Sequence, residues 1–113
     1  MQQFSLLSPQ EQKALLQFKE ALGKICGPTG WALYLFGSRA RSEGDEDSDL
    51  DVLVLLDNYE EEKKKKIWDA AYQTFGSSDI LISPMVLSRS YYEDLKRRER
   101  LIAMTIEKEG IAL

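Results

Sequence analysis

The sequence has 113 residues, a mass of 12.9 kDa and a net charge of −4, which suits one small domain and does not favour nonspecific binding to nucleic acid or anionic lipid. Because the sequence has one cysteine, it cannot form an internal disulfide, and because it has no histidine, a zinc site would lack almost all of its usual ligands. The absence of histidine also rules out nucleophiles activated by histidine, so any catalysis must use carboxylates or a metal ion. Since the N-terminus lacks the pattern of a secretory signal and no apolar run approaches the roughly 20 residues that cross a bilayer, we predict a single cytoplasmic domain over residues 1–113.

The first predicted element is a helix at about residues 9 to 25. Ser8 and Glu11 have the types and spacing of a capping box, with a proline between them at the first helical position. Apolar residues then recur at helical spacing until the turn at 27–30, which contains glycine and proline. The next run, 31–36, is short, aromatic-rich, apolar on both faces and bounded by glycines, which predicts a buried strand.

A second strand is predicted for the apolar run 52–56, and it opens on the acidic pair Asp49 and Asp51. The acidic, serine-rich segment 42–48 before it is too polar for a core and predicts a surface loop. Three glutamates followed by four lysines then predict a helix that runs to about Phe75, because acidic residues favour a helix start and glutamates pair with lysines four residues on.

The last predicted elements are a third strand from Asp79 to Leu87 and a helical segment after it. Pro84, near the end of this strand, indicates a sheet edge or a bulge. Ser90 has a capping-box partner three residues on and starts the helical segment, which stops near Gly110. The order of elements predicts an α/β (α+β) fold in which a small mixed β-sheet is flanked by helices.

Asp49 and Asp51 form the first part of a candidate site. Side chains two residues apart in a strand point to the same face, about 6.5 to 7 Å apart at Cα. Two carboxylates on one face repel each other, and a divalent cation between them relieves the repulsion. Mg²⁺ typically takes one or two protein carboxylates and completes its shell with water and phosphate oxygens. The pair therefore indicates a Mg²⁺ site with a phosphate-bearing ligand.

Gly37 and Ser38, directly after the first predicted strand, form the second part. Glycine allows a backbone to approach closely, and free N–H groups and a hydroxyl can hold phosphate oxygens. Arg39 and Arg41 would add cationic donors; the alternative is that they are surface charges that balance the acidic loop after them. An anion cradle and a cation holder in one short segment are what a metal-bound nucleoside triphosphate requires.

The stretch from Gly37-Ser38 to Asp49-Leu50-Asp51, framed by two strands, resembles the minimal nucleotidyltransferases, which are small relatives of the DNA polymerase beta superfamily. The resemblance implies the nucleotidyltransferase fold and binding of Mg²⁺ by the two aspartates. It assigns the triphosphate of ATP or another NTP to residues of this stretch: Gly37, Ser38, Arg39, Arg41 and Ser48. The implied reaction transfers a nucleoside monophosphate to an acceptor hydroxyl and expels pyrophosphate.

The family's pattern also includes a third carboxylate on a later strand. Aligned on Ser83 and Pro84, that position is Leu81, while Asp79 lies two residues earlier. One alternative is that Asp79, one strand repeat away, is the third metal ligand and a catalytic residue. The other is that the third carboxylate is missing and the chain is a catalytically idle subunit that binds a nucleotide or a partner.

Single-domain members of the family commonly pair with a separate helical protein of the HEPN type, and some act as antitoxins by adenylylating that partner. The resemblance implies such a partner for this chain and leaves a homo-oligomer open. A cluster of basic residues in 89–100 could contact an acidic partner or RNA, but interspersed acids dilute its field, so we do not predict direct nucleic-acid binding.

Overall fold

A computed structural model describes residues 7–37 and 49–113 of the chain, and the predictions for Ser38, Arg39, Arg41 and Ser48 lie outside these residues. The elements, in chain order, are α1 (Pro9–Cys26), β1 (Trp31–Phe36), β2 (Leu50–Leu56), α2 (Glu61–Ser78), β3 (Ile82–Ser88), α3 (Arg89–Arg97), α4 (Leu101–Glu109) and β4 (Ile111–Ala112). None of the helices in the described ranges has the length and apolar character needed to cross a membrane.

The strands form a mixed four-stranded sheet in the order β3-β2-β1-β4. β1 pairs antiparallel with β2 and with β4, whereas β2 pairs parallel with β3, and α2 makes the crossover that a parallel pair requires. Side chains of α1 and α2 pack on one face of the sheet, and those of α3 and α4 pack on the other. The predicted α/β fold with a small mixed sheet flanked by helices is confirmed.

The central strand β2 contributes side chains to both hydrophobic cores, one on each face of the sheet. Val52 and Val54 belong to the core under α1 and α2, and Leu53 and Leu55 belong to the core under α3 and α4. This burial on both faces explains why the strand is a continuous apolar run rather than an alternating one. Within β2 only Asp51 is not buried, and it lies on the α3 and α4 side because it shares its parity with Leu53.

The N-terminus of α1 forms as the sequence predicts. The Ser8 hydroxyl accepts a hydrogen bond from the N–H of Glu11 at 3.1 Å, and the Glu11 carboxylate accepts one from the N–H of Ser8 at 2.8 Å. This reciprocal box satisfies two of the backbone donors that every helix start leaves without a partner in the helix. It fixes the start of the helix that covers β2.

The end of α2 differs from the prediction. The helix continues through Gly76 to Ser78, since a single glycine inside a helix costs only about 1 kcal/mol. It ends where Asp79 adopts the left-handed conformation, with φ 61° and ψ 14°, and donates its N–H to the carbonyl of Phe75 at 2.8 Å. The prediction that the third strand opens at Asp79 is therefore wrong, because β3 begins at Ile82.

The C-terminal segment also differs in detail. The predicted single helical stretch is two helices, separated at Glu99, whose φ is +52°. Ser88, not Ser90, caps α3, because the Ser88 hydroxyl accepts a hydrogen bond from the N–H of Tyr91 at 3.1 Å. After Gly110 the chain adds the short strand β4, which the sequence analysis did not predict.

Pro84 lies in the edge strand of the described sheet, which confirms the first of its two predicted settings. The N–H of Leu50 donates to the carbonyl of Leu81 at 3.0 Å, so the odd-numbered residues of β3 direct their backbone polar groups toward β2. Pro84 therefore places its missing N–H on the outer side of the strand, where no ladder hydrogen bond is lost.

Candidate functional site

Asp49 and Asp51 lie at the beginning of β2, at one end of the sheet. Asp51 is the second residue of the strand and pairs with Phe36 of β1 on one side and with Ser83 of β3 on the other. Partial burial raises the pKa of Asp51 above its ordinary value, and the negative charge of Asp49 raises it further. The two carboxylates are thus close enough to repel each other, and a cation bound between them would relieve that repulsion.

Gly37 brings the backbone that follows β1 directly against Asp51. Its φ is +82°, a conformation that side chains other than glycine rarely adopt. A Cβ built at Gly37 would lie 2.5 Å from Oδ2 of Asp51 and 3.2 Å from its Cβ. Since not even a methyl group fits between them, the turn and the Asp51 carboxylate are packed directly against each other. The sequence analysis predicted that the Gly37-Ser38 turn and the aspartates face each other, and in the described residues Gly37 lies within contact range of Asp51.

Ser83 belongs to this group, and the sequence analysis did not include it. Its hydroxyl donates a hydrogen bond to Oδ2 of Asp49 at 3.3 Å. In the parallel register it is the direct neighbour of Asp51, whereas Leu81, the position expected for a third carboxylate, lies one strand repeat earlier. Only the pairing of β2 with β3 reveals this neighbour, because 34 residues separate Ser83 from Asp49.

Asp79 occupies the C-terminal cap of α2, so the strand repeat that the prediction used does not apply to it. Among residues 7–37 and 49–113, no group of three histidine, cysteine, aspartate or glutamate side chains is arranged to hold a metal ion. The role of Asp79 as a third ligand stays a prediction, as do the triphosphate contacts of Ser38, Arg39, Arg41 and Ser48.

The donor set at this end of the sheet fits Mg²⁺. Asp49 and Asp51 supply two hard carboxylate ligands, which is the usual protein share of a Mg²⁺ shell that also contains phosphate oxygens. The absence of a side chain at Gly37 lets the backbone of the turn lie directly against the Asp51 carboxylate. The two carboxylates present therefore fit a Mg²⁺ ion that also binds phosphate oxygens.

The model of the nucleotidyltransferase domain family matches residues 15–113 of the chain. The chain belongs to this family. The nucleotidyltransferase domain thus covers every strand of the sheet and the site at its end. The predicted resemblance is confirmed, and with it the enzyme class, a nucleotidyltransferase.

Individual relatives agree with this assignment. The nucleotidyltransferase is 37% identical over 75 residues to MJ0141 of Methanocaldococcus jannaschii, a provisionally named protein adenylyltransferase, and the match covers 66% of this chain and 76% of the relative. A chain in the crystal structure of a toxin–antitoxin with AMP-PNP superposes with a TM-score of 0.55 at 18% identity, over 84% of this chain and 68% of that chain, which shows a shared fold. A provisionally assigned nucleotidyltransferase from Sulfolobus solfataricus reaches a TM-score of 0.48 at 17% identity, over 93% of this chain and 86% of that one, too low to support the fold assignment.

Proposed function

We propose that the chain is a Mg²⁺-dependent nucleotidyltransferase that transfers a nucleoside monophosphate, AMP from ATP, to a hydroxyl group of a partner protein. The observation that carries this proposal is the packing of the Gly37 turn against Asp51, with Asp49 beside it. A pair of carboxylates that can hold a cation, with a backbone turn packed against them, provides the elements that a metal-bound triphosphate needs. Residues 1–113 act in this proposal as one nucleotidyltransferase domain.

Each residue of the proposed site has a defined task in the reaction. Asp49 and Asp51 hold Mg²⁺, which when bound supplies positive charge for the triphosphate. Gly37 lets the turn pack against the Asp51 carboxylate, so that the backbone of the turn lies beside the metal site, where phosphate oxygens would approach it. The remaining triphosphate contacts are proposed for the following residues: Ser38, Arg39, Arg41 and Ser48.

The proposed chemistry is a single displacement at the α-phosphorus. The oxygen of the acceptor hydroxyl forms a bond to that phosphorus, the bond from phosphorus to the bridging oxygen of the leaving group breaks, pyrophosphate departs, and the hydroxyl proton is released to water. The chain contributes mainly positioning and charge neutralisation, which is the general pattern of phosphoryl transfer.

The acceptor in this proposal is a separate helical protein of the HEPN type, with the chain as antitoxin in the cytoplasm. Two findings support a protein acceptor: the relative from Methanocaldococcus jannaschii is named as a protein adenylyltransferase, and the neighbour of shared fold comes from a toxin–antitoxin structure with AMP-PNP. A homo-oligomer is the alternative assembly.

One observation favours a second function, a catalytically idle subunit that binds a nucleotide or a partner. The neighbour of Asp51 on β3 is Ser83, which is neutral, and the described part of the chain brings no third acid to the pair. Two carboxylates could hold one Mg²⁺ and a nucleotide while leaving the transfer step without the charge that the family's third carboxylate supplies.

Two measurements test these functions in turn. Calorimetric titration with ATP should show binding that depends on Mg²⁺, and binding that is equal in EDTA would overturn the metal site common to both functions. ATP labelled at the α-phosphate, incubated with the protein that copurifies from the native cell, should then transfer label to that protein and release pyrophosphate. Full binding without label transfer to that protein would favour the idle subunit.

The role of Asp79 can be decided with the variant Asp79→Gly. Glycine accepts the left-handed conformation of this helix cap without strain, so we expect the free energy of unfolding to rise by about 0.5 kcal/mol in urea denaturation. Such a variant loses the carboxylate without losing the fold. A hundredfold loss of AMP transfer in it would support Asp79 as a third ligand, and unchanged transfer would exclude that role.

A further inference from the structure

Ser83 is an uncharged residue beside the two aspartates of the proposed site. In the pairing of β2 with β3, Ser83 is the register partner of Asp51, so the two side chains lie on the same face of the sheet. Its hydroxyl nevertheless contacts the other aspartate, since it donates to Oδ2 of Asp49 at 3.3 Å. Ser83 thus connects β3 to Asp49 by a side-chain hydrogen bond while it pairs with Asp51 in the sheet.

Asp49 is held less firmly by the sheet than Asp51, so a hydrogen bond has a larger effect on its orientation. Asp49 is exposed and precedes the first residue of β2, whereas Asp51 lies within the strand and is held by ladder partners on both sides. An exposed side chain that is free to rotate loses conformational entropy when it is fixed to bind a ligand. In the part of the chain that the structure describes, the Asp49 carboxylate accepts a side-chain hydrogen bond from Ser83, a contact that favours one orientation of the carboxylate.

We propose that Ser83 is a positioning residue for the metal site, one that holds the Asp49 carboxylate toward Asp51 and leaves its second oxygen available to a divalent cation. This inference rests on the proposed function. A hydroxyl suits the task because it donates to a carboxylate without adding a third negative charge to two that already repel each other. Such hydrogen bonds to a ligating carboxylate typically change metal affinity by roughly 10-fold to 100-fold.

A Ser83 that positions Asp49 and a Ser83 that contacts the nucleotide directly predict different effects of Mg²⁺. Because Ser83 acts through Asp49, its removal should weaken only the part of nucleotide binding that depends on Mg²⁺. Binding of the nucleotide in EDTA should stay unchanged. A hydroxyl that touched the nucleotide itself would contribute in both conditions.

The test uses the full chain and three variants: Ser83→Ala, Ser83→Thr and, as a matched control on the exposed start of α3, Ser90→Ala. The dissociation constant for AMP-PNP is measured by calorimetry with Mg²⁺ and again in EDTA. We expect Ser83→Ala to weaken binding about tenfold with Mg²⁺ and to leave it unchanged in EDTA. Threonine keeps the hydroxyl and favours strands, so it should restore binding to within about twofold of the wild type, and Ser90→Ala should match the wild type.

The possible failures are distinguishable. If the wild type shows no Mg²⁺-dependent binding, the proposed function fails and this inference with it. If the wild type binds and Ser83→Ala binds equally well, Ser83 has no positioning role and the proposed function stands. An equal loss with Mg²⁺ and in EDTA would also overturn the inference, because it would assign Ser83 to the nucleotide. Thermal denaturation without ligand confirms that each variant is folded.

Discussion

Replacing Asp51 by asparagine is expected to abolish Mg²⁺-dependent nucleotide binding while making the unliganded protein slightly more stable. Asparagine keeps the shape of the side chain and its place in β2 but removes a charge that lies partly buried beside Asp49. Mg²⁺ requires that charge, so we expect nucleotide affinity with Mg²⁺ and AMP transfer to fall by about 100-fold or more. Calorimetry and label transfer measure the two losses.

The stability of this variant should depend on pH with a defined sign. Burial and the charge of Asp49 raise the pKa of Asp51 in the folded chain, so the folded state holds this proton more tightly than the unfolded state does. Between the unfolded pKa near 3.9 and the higher folded pKa, the unfolding free energy of the wild type therefore falls as pH rises. Because asparagine does not titrate, Asp51→Asn does not show this fall in unfolding free energy. Because the side chain is partly exposed, solvent screening limits the gain at pH 7 to a rise in Tm of roughly 2 °C.

In the presence of Mg²⁺ the wild type should have the higher Tm, since it gains stability from the bound ion and Asp51→Asn does not. At about pH 3, where both states of the wild type are protonated at this position, the difference in Tm should disappear. Asp69→Asn, an exposed substitution of the same type in α2, is the matched control and should leave binding unchanged. Wild-type affinity for Mg²⁺ and ATP in Asp51→Asn would contradict the assigned site.

Replacing Gly37 by alanine should cost both stability and binding. The new Cβ would lie 2.5 Å from Oδ2 of Asp51, so either the turn or the carboxylate must move. The positive φ of +82° adds backbone strain of about 1 kcal/mol, which lowers Tm by roughly 4 °C or more. Displacing the carboxylate should weaken Mg²⁺-dependent nucleotide binding by about 10-fold to 100-fold.

Gly30→Ala separates these two causes. Gly30 has a similar φ of +90°, but a Cβ built there meets no atom within 4 Å. This control should show the loss in Tm and no loss in binding. Equal binding by Gly37→Ala and Gly30→Ala would mean that the contact between the turn and Asp51 has no part in holding the ligand.

The features of the fold that could be predicted from the sequence are mainly those set by short stretches of residues. The capping box of Ser8 and Glu11 lies within four residues, and the apolar run of β2 shows a strand that is buried on both faces. The approach of Gly37 to Asp51 was also predictable, because a glycine after one strand and acids at the start of the next meet when the two strands are antiparallel neighbours.

The remaining features depend on tertiary structure. Gly76 favours a helix end, but a helix interior tolerates it at a cost of about 1 kcal/mol, and the helix ends only where Asp79 adopts the left-handed conformation. The short strand β4 forms only because the side of β1 opposite to β2 accepts it. The position of Ser83 beside the carboxylates follows from the parallel register of two strands separated by a whole helix, which no local pattern encodes.

The place of Pro84 on the outer side of β3 has a consequence for self-association. Unpaired backbone donors along a sheet margin are a template on which another molecule can add a strand and begin to aggregate. An imino acid in the middle of that margin interrupts the row of donors without weakening the sheet itself. This part of the sheet margin is therefore a poorer template for an added strand from another molecule than an uninterrupted row of donors would be.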